Sequence, residues 1–176
     1  MTNNHALVLN ILQQARQNEI DTHRFYLDAA EQVQDPRGQE MYRFLAEEEL
    51  EHERIVHMQI DALTGGKGWV APAGIRSGPL DDFQTLFGAA REKLRQYTRP
   101  DDKELDALII ALEMEDNSYK AYRQALEVTV DAVGELVLQH LARAEQTHFD
   151  LVMQNYESLL YRQHWQGLLN REGEDL

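Results

Sequence analysis

The chain has 176 residues, 43% of them hydrophobic, and no cysteine. This length fits one domain around a single core, and the absence of cysteine excludes disulfides, thiolate zinc sites and a four-cysteine iron centre within these residues. The formal net charge of −14 argues against a nucleic-acid partner, and neither a secretory signal nor an apolar run of membrane-spanning length is recognisable, so we expect a cytoplasmic protein with no membrane partner.

The first predicted helix covers about residues 5–34, and Glu19 interrupts its inward apolar row. Asp35 and Pro36 predict the N-cap and first residue of a second helix. Because the turn between them is so short, we expect the two helices to be antiparallel.

The second predicted helix ends near residue 63, and its inward row contains Glu49 and His52. Glu-x-x-His at positions i and i+3 directs both side chains to one spot. Taken alone, the motif in so acidic a helix is more often a solvated surface than a metal site.

Residues 64–100 form a predicted crossover, which carries the chain from one end of a bundle to the other and includes a short amphipathic helix over 81–97. Trp69 is the large apolar anchor of its glycine-rich first part. That part lacks the spacing of a phosphate-binding P-loop, so we give nucleotide binding little weight.

Two further helices follow from about residue 101, and Asp131 is the predicted cap of the last one, which continues past Tyr161. The third helix places Glu115 in its inward row. The fourth repeats the Glu-x-x-His motif, and its apolar tail could cover its own bundle or dock on a second subunit as a homodimer.

The second half of the chain repeats the first at an offset of 96 residues, which relates the helix pairs 5–63 and 101–163. This is an internal duplication rather than a solenoid, because there are only two long copies. Because the same acids and histidines recur in both halves, the repeat strengthens the prediction of a metal site. The residues concerned are four glutamates and two histidines: Glu19, Glu49, His52, Glu115, Glu145 and His148.

Such a buried set makes better physical sense with two divalent cations than without them. Four carboxylates balance four positive charges, whereas without metal they would repel one another and take up protons. Carboxylates with one imidazole per metal favour iron or manganese over zinc. By the known geometry of di-metal carboxylate bundles, Glu49 and Glu145 would bridge, and Glu19 and Glu115 would be terminal.

Two tyrosines, Tyr26 and Tyr122, lie two helical turns after Glu19 and Glu115 on the same faces. They are either hydrogen-bond donors to ligating carboxylates or ordinary core tyrosines. His23 is interpreted as structural. Four other histidines lack a partner at ligand spacing and are predicted to be surface residues: His5, His57, His140 and His164.

With these motifs the chain resembles the ferritin-like superfamily, and within it the rubrerythrin-related proteins. The resemblance implies an all-α, ferritin-like antiparallel four-helix bundle with one long crossover. It implies two irons per chain cycling between Fe²⁺ and Fe³⁺, and reduction of peroxide or dioxygen, with the four glutamates and both tyrosines as the catalytic set.

Three departures from the family pattern matter. Rubrerythrins carry a further glutamate where this chain has Ser118, and they carry a rubredoxin domain that is absent here, so an external redox protein must donate the electrons. Bacterioferritins bind haem through a methionine at the position of Leu50, so we expect no haem. The alternatives to peroxide reduction are a ferroxidase of the iron-storage type, a di-manganese catalase and a non-catalytic metal-binding bundle.

Overall fold

The computed structural model describes the backbone of residues 2–75 and 103–172, and the side chains of residues 4–75 and 103–161. Within these ranges the chain forms four helices: α1 (Thr2–Gln32), α2 (Pro36–Thr64), α3 (Lys103–Val128) and α4 (Ala132–Glu172). The predicted all-α bundle is confirmed, and so is the continuation of its last helix past Tyr161. The short helix predicted over 81–97 lies outside the described residues.

The two halves begin their second helices with the same capping device. The Asp35 carboxylate accepts a hydrogen bond from the Arg37 backbone N–H at 3.0 Å, and Pro36 occupies the first helical turn. Asp131 accepts from the backbone N–H groups of Val133 and Gly134 at 2.9 and 3.0 Å. Each aspartate thus satisfies amides that a helix start leaves without partners.

The inward faces of the four helices form one core. Leu12, Leu45 and Leu141 are fully buried in it. Helix α1 packs on α2, α3 on α4, and α1 on α3, so the two hairpins meet through their first helices. Burial of apolar surface contributes most to holding such helices together. Among the described residues, no helix combines the length and apolarity that crossing a bilayer requires.

The segment after α2 folds back onto the bundle. Gly66 has φ of 70°, a left-handed conformation that ends the helix and that glycine adopts without strain. The buried Gln59 amide donates to the Val70 carbonyl at 2.9 Å and accepts from the Val70 N–H at 3.0 Å. Trp69 lies against Gly134, where an added Cβ would sit only 2.5 Å from the indole. The predicted anchor is therefore seated on the first turn of α4.

Candidate metal centre

Each helix contributes to one buried polar cluster at the middle of the bundle. The four glutamates are 0% exposed and the two histidines 3% exposed. The cluster unites all six residues singled out in the sequence: Glu19 from α1, Glu49 and His52 from α2, Glu115 from α3, and Glu145 and His148 from α4.

The first half of the cluster is arranged around His52. Its Nδ1 atom lies 2.9 Å from an oxygen of Glu145, 3.5 Å from one of Glu49 and 3.7 Å from one of Glu19. None of these contacts has the alignment of a hydrogen bond, and Nδ1 has no hydrogen-bond partner. An imidazole nitrogen therefore faces three carboxylates without being bonded to any of them.

The second half is arranged in the same way around His148. Its Nδ1 atom forms a hydrogen bond of 2.7 Å with Glu49 and lies 3.7 Å from Glu115. The two imidazole rings are stacked, with centroids 5.2 Å apart and planes inclined by 19°. One ligand atom from each of Glu49, His52, Glu145 and His148 falls within 4.8 Å of the others, a separation that suits a shared metal site.

The two predicted tyrosines bond across the bundle instead of along their own helices. The Tyr122 hydroxyl on α3 donates to Glu19 on α1 at 2.5 Å. The Tyr26 hydroxyl on α1 donates to Glu115 on α3. Each hydroxyl leaves the second oxygen of its carboxylate without a partner, so the phenol orients the carboxylate while one oxygen stays available to a cation.

Without metal, the cluster can exist only with shared protons. Burial, followed by the charge of Glu49, raises the pKa of Glu19 to about 8. Burial and then the charge of Glu19 raise the pKa of Glu145. Burial lowers the pKa of His148, but its contacts with Glu115 and Glu49 raise it overall, to about 9. The cluster thus retains protons at neutral pH, in place of the cations that would neutralise it.

The protein atoms themselves indicate that a cation belongs here. Five of the six side chains have at least one buried nitrogen or oxygen with no hydrogen-bond partner, and Glu145 has two such oxygens. Buried polar groups are nearly always hydrogen-bonded, and unpaired charges are costly to bury. Carboxylate oxygens and imidazole nitrogens aimed at a common volume fit a cation such as iron.

The other residues considered from the sequence have different environments. A nitrogen of the half-buried His23 lies 2.7 Å from the Ala46 carbonyl, in agreement with a structural role. Among the histidines expected at the surface, His5 is exposed, whereas His57 and His140 are half-buried. His164 lies outside the described side chains.

Sequence reasoning missed two buried polar groups near the cluster. Tyr42 is 2% exposed, and its ring centroid is 5.8 Å from that of Tyr26. Asp116 is 5% exposed beside Glu115 and pairs with Lys120. Tyr42 lies one turn before Leu45 and two turns before Glu49 on the buried face of α2, so its helical spacing was an available signal. For Asp116, the hint was its i, i+4 spacing from Lys120.

A four-helix bundle with a buried set of four glutamates and two histidines is the arrangement that the carboxylate metal proteins of the ferritin-like class share. The rubrerythrin family model matches residues 10–156. The chain therefore belongs to the rubrerythrin family, and its fold is ferritin-like. Comparison with curated proteins and with solved structures finds no match.

Proposed function

We propose that the protein is a di-iron oxidoreductase that reduces hydrogen peroxide to water with electrons from an external redox protein. The observation that carries the proposal is the buried cluster itself, in which carboxylates and imidazoles from four helices converge with unpartnered atoms. Membership of the rubrerythrin family supports an oxidoreductase with iron as the metal.

We assign the proposed ligands to two ions from the distances between them. Glu19 lies against His52 and Glu115 against His148, each at 3.7 Å, so each pair would hold one iron. Glu49 approaches both imidazoles and would bridge the two ions together with Glu145. When bound, the iron pair supplies the two electrons that cleavage of the peroxide O–O bond consumes, and two protons complete two waters.

The protein around the ions contributes orientation and exclusion of water. The two tyrosine hydroxyls fix the terminal carboxylates from the opposite helix. Complete burial of the four glutamates keeps bulk water out and strengthens every electrostatic interaction inside the cluster. These side chains hold the reaction volume in place before any substrate enters.

Stopped-flow mixing of the anaerobic ferrous protein with hydrogen peroxide, and separately with dioxygen, tests the proposal. We expect oxidation by peroxide to be the faster reaction. The Glu49→Gln variant should lose iron and reactivity, whereas Glu48→Gln should keep both, because Glu48 is an exposed neighbour on the same helix. Faster oxidation by dioxygen than by peroxide would refute peroxide reduction.

A ferroxidase is the second candidate, and Ser118 favours it. With serine in place of the further glutamate of rubrerythrins, the site has only four glutamates and two histidines, which is also the ligand set of ferritin-like ferroxidase centres. Iron storage requires a large cage. Size-exclusion chromatography that shows only monomer or dimer would remove this candidate, and elemental analysis separates iron from manganese.

A further inference from the structure

Two buried hydroxyl groups lie beside the buried polar cluster and form no hydrogen bond with it. Thr22 follows Glu19 by one turn on α1, and Ser118 follows Glu115 by one turn on α3. Each is 1% exposed. Neither hydroxyl has a hydrogen-bond partner.

Hydroxyls of this kind normally find a partner within their own helix. A helical serine or threonine can donate to the carbonyl four residues earlier, and two threonines of this chain do so. Thr129 donates to Ala125 at 2.7 Å and Thr147 to Arg143 at 3.0 Å. Thr22 and Ser118 make no such bond although both are buried, so their hydroxyls remain available for another partner.

The register of α1 against α3 places these two hydroxyls at one level. The crossed tyrosine–glutamate hydrogen bonds relate the two helices as an antiparallel pair with two-fold pseudosymmetry. Thr22 and Ser118 occupy equivalent positions, each midway between the glutamate and the tyrosine of its own helix. They therefore lie at the same level on two neighbouring antiparallel helices.

This side of the cluster differs chemically from the opposite one. The two histidines come from α2 and α4, and their rings stack on each other with centroids 5.2 Å apart. Helices α1 and α3 contribute small hydroxyl side chains at the same level. A small ligand held between α1 and α3 at this level would meet two hydrogen-bond donors.

We propose that the Thr22 and Ser118 hydroxyls bind the exogenous ligand of the metal pair, a small oxygen species of one or two oxygen atoms, in the slot between α1 and α3. The inference rests on the proposed di-iron site but not on peroxide as the oxidant. Thr22 and Ser118 would thus bind the small ligand without being metal ligands themselves. Ser118 would have this role in place of the further glutamate of rubrerythrins.

Azide is the probe, because it is a small anion that accepts hydrogen bonds and changes the visible absorption of oxidised iron. The iron-loaded, oxidised protein is titrated with azide as wild type and as the Thr22→Val and Ser118→Ala variants. Each lost donor should raise the azide Kd by about five- to tenfold. The Thr129→Val variant is the matched control and should leave the Kd unchanged, because the Thr129 hydroxyl already donates to the Ala125 carbonyl.

The Thr22→Ser variant separates the hydroxyl from the methyl group and should bind azide like the wild type. Iron content and circular dichroism establish that each variant is folded and loaded. If Thr22→Val and Ser118→Ala bind azide as tightly as Thr129→Val does, the proposal is wrong. If Thr22→Ser weakens azide binding as much as Thr22→Val does, packing rather than hydrogen bonding is responsible, and the proposal is equally overturned.

The azide titration tests the slot separately from the question of whether peroxide or dioxygen is the oxidant. A protein that reacts faster with dioxygen than with peroxide, and whose two hydroxyl variants lose azide affinity, would refute the proposed function and support the slot. Rapid reaction with peroxide and unchanged azide affinity in both variants would support the function and refute the slot.

Discussion

Removal of the metal should produce a protein that becomes less stable as the pH rises, the reverse of ordinary acid denaturation. Burial and the neighbouring charge of Glu49 raise the pKa of Glu19 from 4.5 to about 8. For His148, burial lowers the pKa but contacts with Glu115 and Glu49 raise it overall, from 6.5 to about 9. The folded state therefore binds more protons than the unfolded state across this range, and raising the pH removes them.

The direction and size of the effect follow from these two groups. The contribution of Glu19 is fully present below pH 4.5 and is lost as the pH rises through about 8, and that of His148 is present below pH 6.5 and lost through about 9. One pKa unit corresponds to about 1.4 kcal/mol, so Glu19 alone accounts for up to about 5 kcal/mol. Because the buried groups share protons, we expect a net loss of about 3 kcal/mol between pH 5.5 and pH 9.

Glu49 works in the opposite sense, but outside this pH range. Burial acts to raise its pKa, yet its contacts with Glu19 and the two histidines lower that pKa well below the usual value of 4.5. Its contribution is present above the ordinary pKa of a glutamate and is lost only in stronger acid.

Urea unfolding of chelator-treated protein, followed by circular dichroism across this pH range, measures the effect. The Glu19→Gln variant should flatten the dependence, and the exposed-site control Glu48→Gln should retain it. With iron bound, stability should instead rise with pH, because metal binding displaces the protons. A free energy of unfolding that is constant or increases with pH in the metal-free wild type would refute the reasoning.

Three further predictions concern single contacts. Tyr26→Phe and Tyr122→Phe should each weaken metal binding by about tenfold in a chelator competition, because each releases a terminal carboxylate; unchanged affinity would contradict the role of the phenols. Tyr42→Phe should leave metal affinity unchanged and raise the free energy of unfolding by up to about 1 kcal/mol, because it removes a buried hydroxyl without a partner. Gly134→Ala should lower that free energy by about 1–3 kcal/mol in urea unfolding, since the new methyl would overlap the Trp69 indole.

The helices and the metal-ligand candidates were accessible from sequence for two physical reasons. Caps are local, so Asp35 and Asp131 mark helix starts without knowledge of the fold. Burying an acid in an apolar row is energetically costly, yet the two halves of the chain both place acids at equivalent inward positions. The structure places all these acids in one cluster; their function as metal ligands remains a prediction.

The partners of the tyrosines could not be predicted from sequence. Periodicity put Tyr26 on the face of Glu19, yet its hydroxyl bonds to Glu115 on another helix. Which carboxylate the hydroxyl reaches depends on the register of α1 against α3. Packing between the helices sets this register, and no local sequence pattern predicts it. The ring contact between Tyr42 and Tyr26 also joins two helices and could not be predicted from sequence for the same reason.

Two hydrogen bonds that cross between the hairpins make each hairpin depend on the other. Tyr122 of the second hairpin orients Glu19 of the first, and Tyr26 of the first orients Glu115 of the second. Neither hairpin alone contains a glutamate together with the tyrosine that orients it, so a fragment encoding one hairpin could rebuild the cluster only by pairing with another copy. The chain has the plan of two similar helix hairpins joined in tandem.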